Sequence, residues 1–393
     1  MLSLNNFYNV IHSNLILPFT NGKSQFFYPF GTYQYIKILR EKFNFVYPPN
    51  MGSEYDWPNE EIFVHCYFFD QEPYYDFTSD VIKQSLINLK NVPRPLRVNV
   101  LANSEHSEIK QDFLKKFNMR DWYYFFHGFA ALDWYNDFQY IRSDSFATFD
   151  KVFICYNHLI SKYRSYRLHL VSNLIELDLV QYGRVSLFLK DKDGTWKDAI
   201  EDPSAPLDNR ARVKIFKALK NINEPLIIDT KEPNGSLSAT VNFDDLTSAL
   251  WHIVTETVYF LPKLHLSEKI FKPIVVKRPF ILVAAPGNLA YLKRYGFKTF
   301  DRWIDESYDD EQDHYIRIEK ITEEIAKLCA LEPAELLEMH KEMQEVLEYN
   351  FQHFYGNFRK IITNELIDNF AALDTPAKLS AEYIEEVRNK LLQ

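Results

Sequence analysis

The chain has 393 residues, with 45 basic and 54 acidic side chains for a formal net charge of −9, and is 46% hydrophobic and 25% charged. Those fractions are ordinary for a soluble globular protein and exclude the disordered, collagen-like and coiled-coil classes. At about 150 residues per domain the length accommodates two domains, or three. Residues 61–69 are a mostly apolar run that stops at Asp70-Gln71-Glu72-Pro73, which predicts a buried strand ending at a polar loop. Residues 96–102 predict a second strand, ending at Asn103-Ser104-Glu105 and followed by a helix to Phe117. Strands alternating with helices predict a parallel α/β sheet whose ligands collect at the C-terminal ends of strands, where both polar loops would lie. A second set begins near residue 150, with a strand over 151–156 and a helix over 157–177 that carries Lys162, Arg164 and Arg167. Asp191-Lys192-Asp193-Gly194 reads as a hairpin turn, and 191–233, rich in charge, Pro and Asn, is poorly patterned. Residues 249–260 read as a strand with Glu256 inside it. Ser267 then N-caps a short helix over 268–276, and 279–284 is a strand. After the turn at Pro286-Gly287, Asn288 caps a helix that Gly296 ends. From about Glu319 the chain reads as helical to its end, with breaks at Pro333 and Pro376 and a core stripe of Leu336, Met339, Met343 and Leu347. The expectation is two α/β domains joined near residue 150, with a helical tail.

Two departures from average composition carry information. Aromatic residues reach 16%, and there are only ten glycines, no two closer than nine positions. A dinucleotide fingerprint, a P-loop and a nucleophile elbow all need glycines two to five apart, so none of the three is present. Any phosphate must be held by cationic side chains or helix N-termini. Cys66, Cys155 and Cys329 are odd in number and far apart, which argues against a disulfide framework and cysteine-based zinc. Residues 1–19 have no basic segment ahead of their apolar stretch, and no run of 18 apolar residues occurs. No signal peptide and no membrane span are therefore expected, and the expected location is cytoplasmic.

Several residues are candidates for chemistry. In Ser267-Glu268-Lys269-Ile270-Phe271-Lys272-Pro273 a lysine in the first helical turn opposes the helix dipole, so local stability does not explain it. Beside exposed helical N–H groups it would make an anion site suited to a diphosphate, with Glu268 accepting from ribose hydroxyls; the plain alternative is a solvated charge pair. Arg164 and Arg167, three apart with Tyr163 and Tyr166 interleaved, make either a phosphate clamp with a stacking platform or a basic surface helix. Glu256, amid β-branched residues at a strand end, is costly unless paired, and so is either a ligand residue or half of a buried salt bridge. In the first half Asp70, Glu72, Glu105, His127 and Asp133 lie among aromatic residues, where an apolar pocket raises a carboxyl pKa toward the range of a general base. Each of these is a structural residue unless the chain is an enzyme. Asp191-Lys192-Asp193 matches the D-x-D pattern of metal-dependent sugar transferases, but with Gly194 behind it the segment reads as a turn, and no metal site is assigned.

Ile253-Val254-Thr255-Glu256-Thr257, Leu266-Ser267-Glu268-Lys269-Ile270-Phe271-Lys272-Pro273-Ile274 and Arg278-Pro279-Phe280-Ile281-Leu282-Val283 together resemble the donor-binding half of bacterial fucosyltransferases. The same stretch, continued through 289–300 and 305–309 and joined by Asp70-Gln71-Glu72-Pro73 and His127-Gly128-Phe129, resembles more closely a group of glycosyltransferase-like proteins of tailed bacteriophages. The resemblance implies the GT-B fold, α/β with two Rossmann-like domains facing across a cleft. Residues 1–148 would be the acceptor-side domain, 149–320 the nucleotide-sugar-binding domain and 321–393 a helical C-terminal segment. It also implies a nucleoside-diphosphate sugar as co-substrate, with no metal and no resident cofactor. Carried over by position, Lys269 meets the diphosphate and Glu268 the ribose, with Glu256 nearby, and Arg164 and Arg167 sit where the family's arginine contacts phosphate. The family's catalytic glutamate aligns to no single residue here, so the base stays open among Asp70, Glu72, His127 and Asp133.

The reaction so implied is an inverting displacement at the anomeric carbon, with a first-domain base deprotonating an acceptor hydroxyl and Lys269 with Arg164 or Arg167 stabilising the leaving diphosphate. A phage origin would place the enzyme in the host cytoplasm and make the acceptor either a hydroxymethylated DNA base or a glycan. Net charge −9 weighs against DNA, although Lys277, Arg278, Lys293, Arg294 and Lys298 could line a local basic cleft and the aromatic segment 122–135 could stack on a flipped base. The competing expectation is a catalytically silent carbohydrate- or nucleotide-binding protein, or a virion-associated one.

Overall fold

The computed structural model describes residues 3–16, 18, 24–27, 45–46, 63–69, 97–140, 148–228, 239, 242–373 and 379–392. The chain is a mixed α/β protein with parallel sheets and a helical C-terminal region. It forms two compact units, Met1–Asp133 together with Arg359–Gln393, and Trp134–Phe358. The first passage between units thus falls at 133/134 rather than 148/149, and the helical segment expected over 321–393 is divided between the two.

In the first unit β1 (Ser24–Phe27), β2 (Phe45–Val46), β3 (Phe63–Phe69), β4 (Arg97–Asn103) and β5 (Met119–Tyr123) form a parallel sheet in the order β2-β1-β3-β4-β5. The helix α1 (Leu4–Val10) precedes it. The helix α2 (Glu108–Phe117) links β4 to β5, capped by Ser107 and ended by Asn118 in the left-handed region at φ 50°. On it Lys110 is fully enclosed, its ammonium 2.8 Å from Asp121 and 3.2 Å from Asn103 Oδ1. The helix α3 (Phe126–Trp134) is buried along most of its length.

In the second unit β6 (Lys151–Cys155), β7 (Gly183–Val185), β8 (Ala249–Thr255) and β9 (Phe280–Val283) form another parallel sheet, ordered β9-β8-β6-β7. Every residue of β8 and β9 is buried, which is why both read as unbroken apolar runs and not as alternating strands. The chain leaves β6 for β7 on one side and later returns to place β8 on the other. The order therefore reverses between β6 and β8, and the loops beyond their C-terminal ends lie at the position where open α/β sheets receive ligands.

Between β6 and β7, residues 157–177 are not one helix. A 3-10 turn over Lys162–Arg164, with Lys162 at φ 53°, separates the strand from α4 (Tyr166–Glu176). The described part of the poorly patterned 191–233, residues 191–228, holds two helices. α5 (Trp196–Glu201) starts in a Thr195/Asp198 capping box, and α6 (Asn209–Leu219) is capped by Asp208. Both are short, with caps more legible than their apolar spacing. The hairpin at Asp191 is present, Lys190–Asp191 pairing with Gly194–Thr195.

After α7 (Phe243–Thr247) and β8, a 3-10 turn capped by Ser267 leads into α8 (Phe271–Val275). The helix α9 (Asn288–Arg294) is capped by Gly287 at φ 82° and not by Asn288. The Asn288 side chain instead pins the preceding loop, accepting from His265 N–H and donating to the Lys263 and Ala285 carbonyls. Next come α10 (His314–Cys329) and α11 (Pro333–His353) with proline in its first turn; the buried stripe of α11 is Leu336, His340, Met343 and Leu347, while Met339 is only half-buried. The helices α12 (Arg359–Ala371) and α13 (Ala381–Leu392) return to the first unit, where Trp122 Nε1 donates to the Leu366 carbonyl and Asn369 to that of Tyr123. Pro376 lies outside the described residues. No described helix is long and apolar enough to cross a membrane.

Gly296 ends α9 at φ 90°, and a Cβ there would stand 2.8 Å from the His353 ring. That ring is fixed by its 2.7 Å hydrogen bond with the Tyr295 carbonyl. Gly296→Ala is therefore expected to cost about 2 kcal/mol, from left-handed strain together with the clash, and to lower the unfolding midpoint in urea.

Candidate functional site

Glu256 follows directly on the last residue of β8, at the point where the strand order reverses. Its carboxylate has no exposure to solvent. An enclosed carboxylate is costly unless donors surround it, and here they come from its own loop and the next turn. Ser267 N–H donates to both oxygens at 3.2 and 3.3 Å, Ser267 Oγ to Oε2 at 2.5 Å and Thr257 N–H to Oε2 at 3.2 Å. The Glu256 carboxylate is thus the tie that holds the loop after β8 to the start of the following helical turn.

Ser267 is also where the cation joins. The Lys269 ammonium lies 3.1 Å from Ser267 Oγ, 3.0 Å from Glu268 Oε1 and 3.5 Å from Thr257 Oγ1. Lys269 stands one hydroxyl away from Glu256, and its own ion pair is with Glu268, which is almost fully enclosed, while about a third of the lysine side chain remains exposed. One turn on is Lys272. Burial lowers its ammonium pKa to about 8, Glu268 working against that fall and Lys269 adding to it. Tyr135 completes the cluster: burial, then Glu268, then Glu256 push its phenol well above the ordinary value of 10. Two carboxylates, two lysines and a phenol therefore gather at one end of β8. Tyr135 and Lys272 were not singled out from sequence, although the three-residue spacing of Lys269 and Lys272 was the available signal.

The shift at Lys272 has a consequence for stability. With a folded value near 8 and an unfolded one near 10.5, its ammonium opposes folding fully below pH 8, and the cost fades as pH rises to about 10.5. Lys272→Met is expected to stabilise the protein by about 1–3 kcal/mol at pH 7, and the advantage should vanish by about pH 10.5. Urea unfolding at several pH values measures it.

The arginines do not form a shared clamp. Arg167, on α4, is buried, and its guanidinium donates to the carbonyls of Leu159, Thr255 and Glu256 at 3.0–3.3 Å. It braces the loop after β6 against the end of β8. Arg164 belongs to the preceding 3-10 turn and is half-buried. Tyr166 is a second brace, its hydroxyl donating to the Glu256 carbonyl at 2.5 Å and its ring stacked on Tyr259 at 4.3 Å. At the end of β6, Asn157 is fully enclosed, held by Ser186 Oγ and Cys155 Sγ. The Cys155 thiol is pushed up to about 12 by burial, against hydrogen bonding from Asn157 and the charge of Arg167, which makes it an inert thiol. Asp191 anchors the same loop, accepting from Ile160 N–H, Ser161 N–H and Ser161 Oγ at 2.7–3.0 Å. Among the described residues no group of three or more His, Cys, Asp or Glu is placed to hold a metal ion.

The first-half candidates belong to the other unit. Asp70 and Glu72, which follow β3, lie outside the described residues. His127 is buried within α3, its ring edge-on to Phe126 at 5.3 Å. Asp133 accepts from Leu4 N–H at 3.1 Å, so it supports the first turn of α1. Glu105 accepts from Ser107 Oγ at 2.7 Å. The rings of Trp122, Tyr123, Tyr124, Phe125, Phe126 and Tyr135 are all core, and none is displayed for stacking. Arg278 is likewise interior, donating to the Thr148 and Thr247 carbonyls at 2.7 Å, while Lys277 pairs with Glu348 and Lys293 with Glu306 and Asp301.

No protein-family model matches the chain, and no curated protein matches it. Among solved structures the chain is similar to the N-terminal domain of trehalose-6-phosphate phosphatase from Candida albicans, at 11% identity over 81% of this chain and 72% of that one, with a TM-score of 0.33. A likeness of that degree carries nothing about activity.

Proposed function

We propose that the protein is a nucleoside-diphosphate-sugar glycosyltransferase of the GT-B class, with Lys269 as the residue that meets the donor diphosphate. The observation that carries this reading is the cluster at the end of β8, where a partly exposed ammonium is held by Ser267 and Glu268 beside the enclosed Glu256. It stands at the reversal of strand order, the place where open parallel sheets receive ligands. A fixed cation there would stabilise charge gathering on the departing diphosphate as the anomeric bond breaks. The acceptor hydroxyl, on a hydroxymethylated DNA base or a glycan, would lose its proton to a base of the first unit, with Asp70, Glu72, His127 and Asp133 the residues to test. The guanidinium of Arg167 is engaged by carbonyls, so any part it plays would be to brace the site, and Arg164 on the neighbouring turn is the residue to test for a second phosphate contact.

The test is a thermal-shift screen against UDP, GDP, CMP and their common sugar conjugates. A ligand at 100 times its Kd adds about 2.7 kcal/mol of apparent stability, which such a screen resolves. One nucleotide class should raise the midpoint, and its sugar conjugate should turn over with an acceptor. If every nucleotide leaves the midpoint unmoved, the donor assignment is lost. Binding without turnover would instead mean a catalytically silent nucleotide-sugar-binding protein.

A further inference from the structure

A cavity of about 200 Å³ opens in the unit Trp134–Phe358, where the first residues of α4, α6 and α10 come together. None of Glu256, Ser267, Glu268 and Lys269 lines it. Its walls are aromatic and already fixed in place. Tyr166 and Tyr259 are stacked at 4.3 Å and 17°, and Phe260 stands perpendicular to both, at 81° and 85°. Tyr315 is held between the His169 ring at 4.8 Å and the Arg210 guanidinium at 4.5 Å. Rings locked in this way leave a slot of constant shape, which accepts a flat ligand at little cost in ordering.

The cations around it are already engaged. Arg210 is bound on both sides, to Asp208 at 2.8 Å and to Asp313 at 2.9 Å. Those two carboxylates also cap α6 and α10, accepting from Ala211 N–H and from Tyr315 and Ile316 N–H. Two more cations stand against the walls, Arg317 over the Tyr259 ring at 4.1 Å and Lys214 over the Tyr315 ring at 5.7 Å, and both are engaged, Arg317 by the Glu311 and Tyr259 carbonyls and Lys214 by Glu319. The cations here are thus bonded within the protein and not offered to a phosphate, whereas the rings remain open to an uncharged one. The lining also carries His169, Gln312 and His314, held through one nitrogen each by Glu319, the Asp310 carbonyl and Arg317. The volume is below the roughly 300 Å³ at which pockets for whole drug-sized ligands begin, so it suits a one- or two-ring group.

We propose that this cavity binds an uncharged, flat heteroaromatic ring, the base of a nucleoside. The inference stands on the cavity and its rim, and needs no diphosphate at Lys269. The probes are uridine, cytidine, adenosine and guanosine, free of phosphate, titrated calorimetrically into the full chain. One of them should saturate. Ala211→Trp, which fills the cavity, and Phe260→Ala, which removes a wall, should each weaken that binding by about tenfold or more, while Lys269→Ala leaves it unchanged.

The inference is overturned if no nucleoside binds at millimolar concentration, or if Ala211→Trp and Phe260→Ala, both shown folded by circular dichroism, bind as the parent does. If nucleosides fail while a nucleoside diphosphate binds through Lys269, this inference falls and the proposed function stands. If nucleosides bind and no diphosphate does, the reverse holds. Competition separates two sources of the base, both consistent with the inference. Displacement of the nucleoside by its own diphosphate makes the cavity the base end of the donor site, and simultaneous binding makes it the site of a second ligand.

Discussion

On the proposed donor assignment, Lys269→Ala is expected to slow sugar transfer by about 10²–10³-fold, the loss of about 2.7–4 kcal/mol that follows removal of one preorganised group at a developing charge. The reason lies in how the ammonium is held. Ser267 Oγ and Glu268 fix it from two sides, so no reorganisation would be needed if a donor diphosphate departed there. The fold should lose far less, about 1 kcal/mol, because the Lys269–Glu268 pair is partly exposed and Lys272 remains beside Glu268. Initial rates against donor concentration, with the unfolding midpoint as control, separate the two effects. A folded variant with unchanged rate and donor affinity would remove Lys269 from the site.

Glu256→Ala is expected to be the most destabilising single change at the site, at about 3–5 kcal/mol. It would strand Ser267 N–H, Thr257 N–H and the Ser267 hydroxyl, all enclosed and all now bonded to that one carboxylate. Glu256→Gln keeps the shape and one accepting oxygen, but turns an amide N–H₂ toward existing donors, so about half the loss is expected. Urea unfolding of the two variants gives the comparison. A cost below about 1 kcal/mol for Glu256→Ala would show that the loop finds other acceptors and that the carboxylate is not its tie.

Legibility from sequence followed local determinism. The stretch from Ser267 to Gly296 was readable because its punctuation is chemical: a serine cap, a Pro-Gly turn and a glycine past the last helical turn all lie where expected. The buried parallel strands were readable because enclosure on both faces leaves only apolar residues. Asn288 misled because asparagine is a common cap, whereas here its amide serves loop contacts 23 and 25 residues away. The reading of Arg164 and Arg167 as one helical face misled for a related reason. Helical spacing puts them on one face, but Lys162 in the left-handed region breaks the helix before it starts, and Arg167 turns inward to carbonyls 88 and 89 residues on. The clustering of Tyr135 with Glu256 and Glu268 depends on tertiary placement, and no spacing in the sequence encodes it. The division into units was hidden for the same reason, since the apolar faces of α12 and α13 do not announce which sheet they cover.

That α12 and α13 complete the unit begun by the first 133 residues sets an order of assembly. On the ribosome, domains ordinarily finish in the order in which they are synthesised. Here the sequence of completion is inverted: the inner unit, closed by residue 358, has all its parts while the outer one still waits for Trp122 and Tyr123 to receive the partners that Leu366 and Asn369 supply. Until those last helices emerge, one flank of β5 stays uncovered. A truncation near residue 358 would therefore not trim an appendage; it would leave the nascent first unit with a bare aromatic surface, exposed to aggregation.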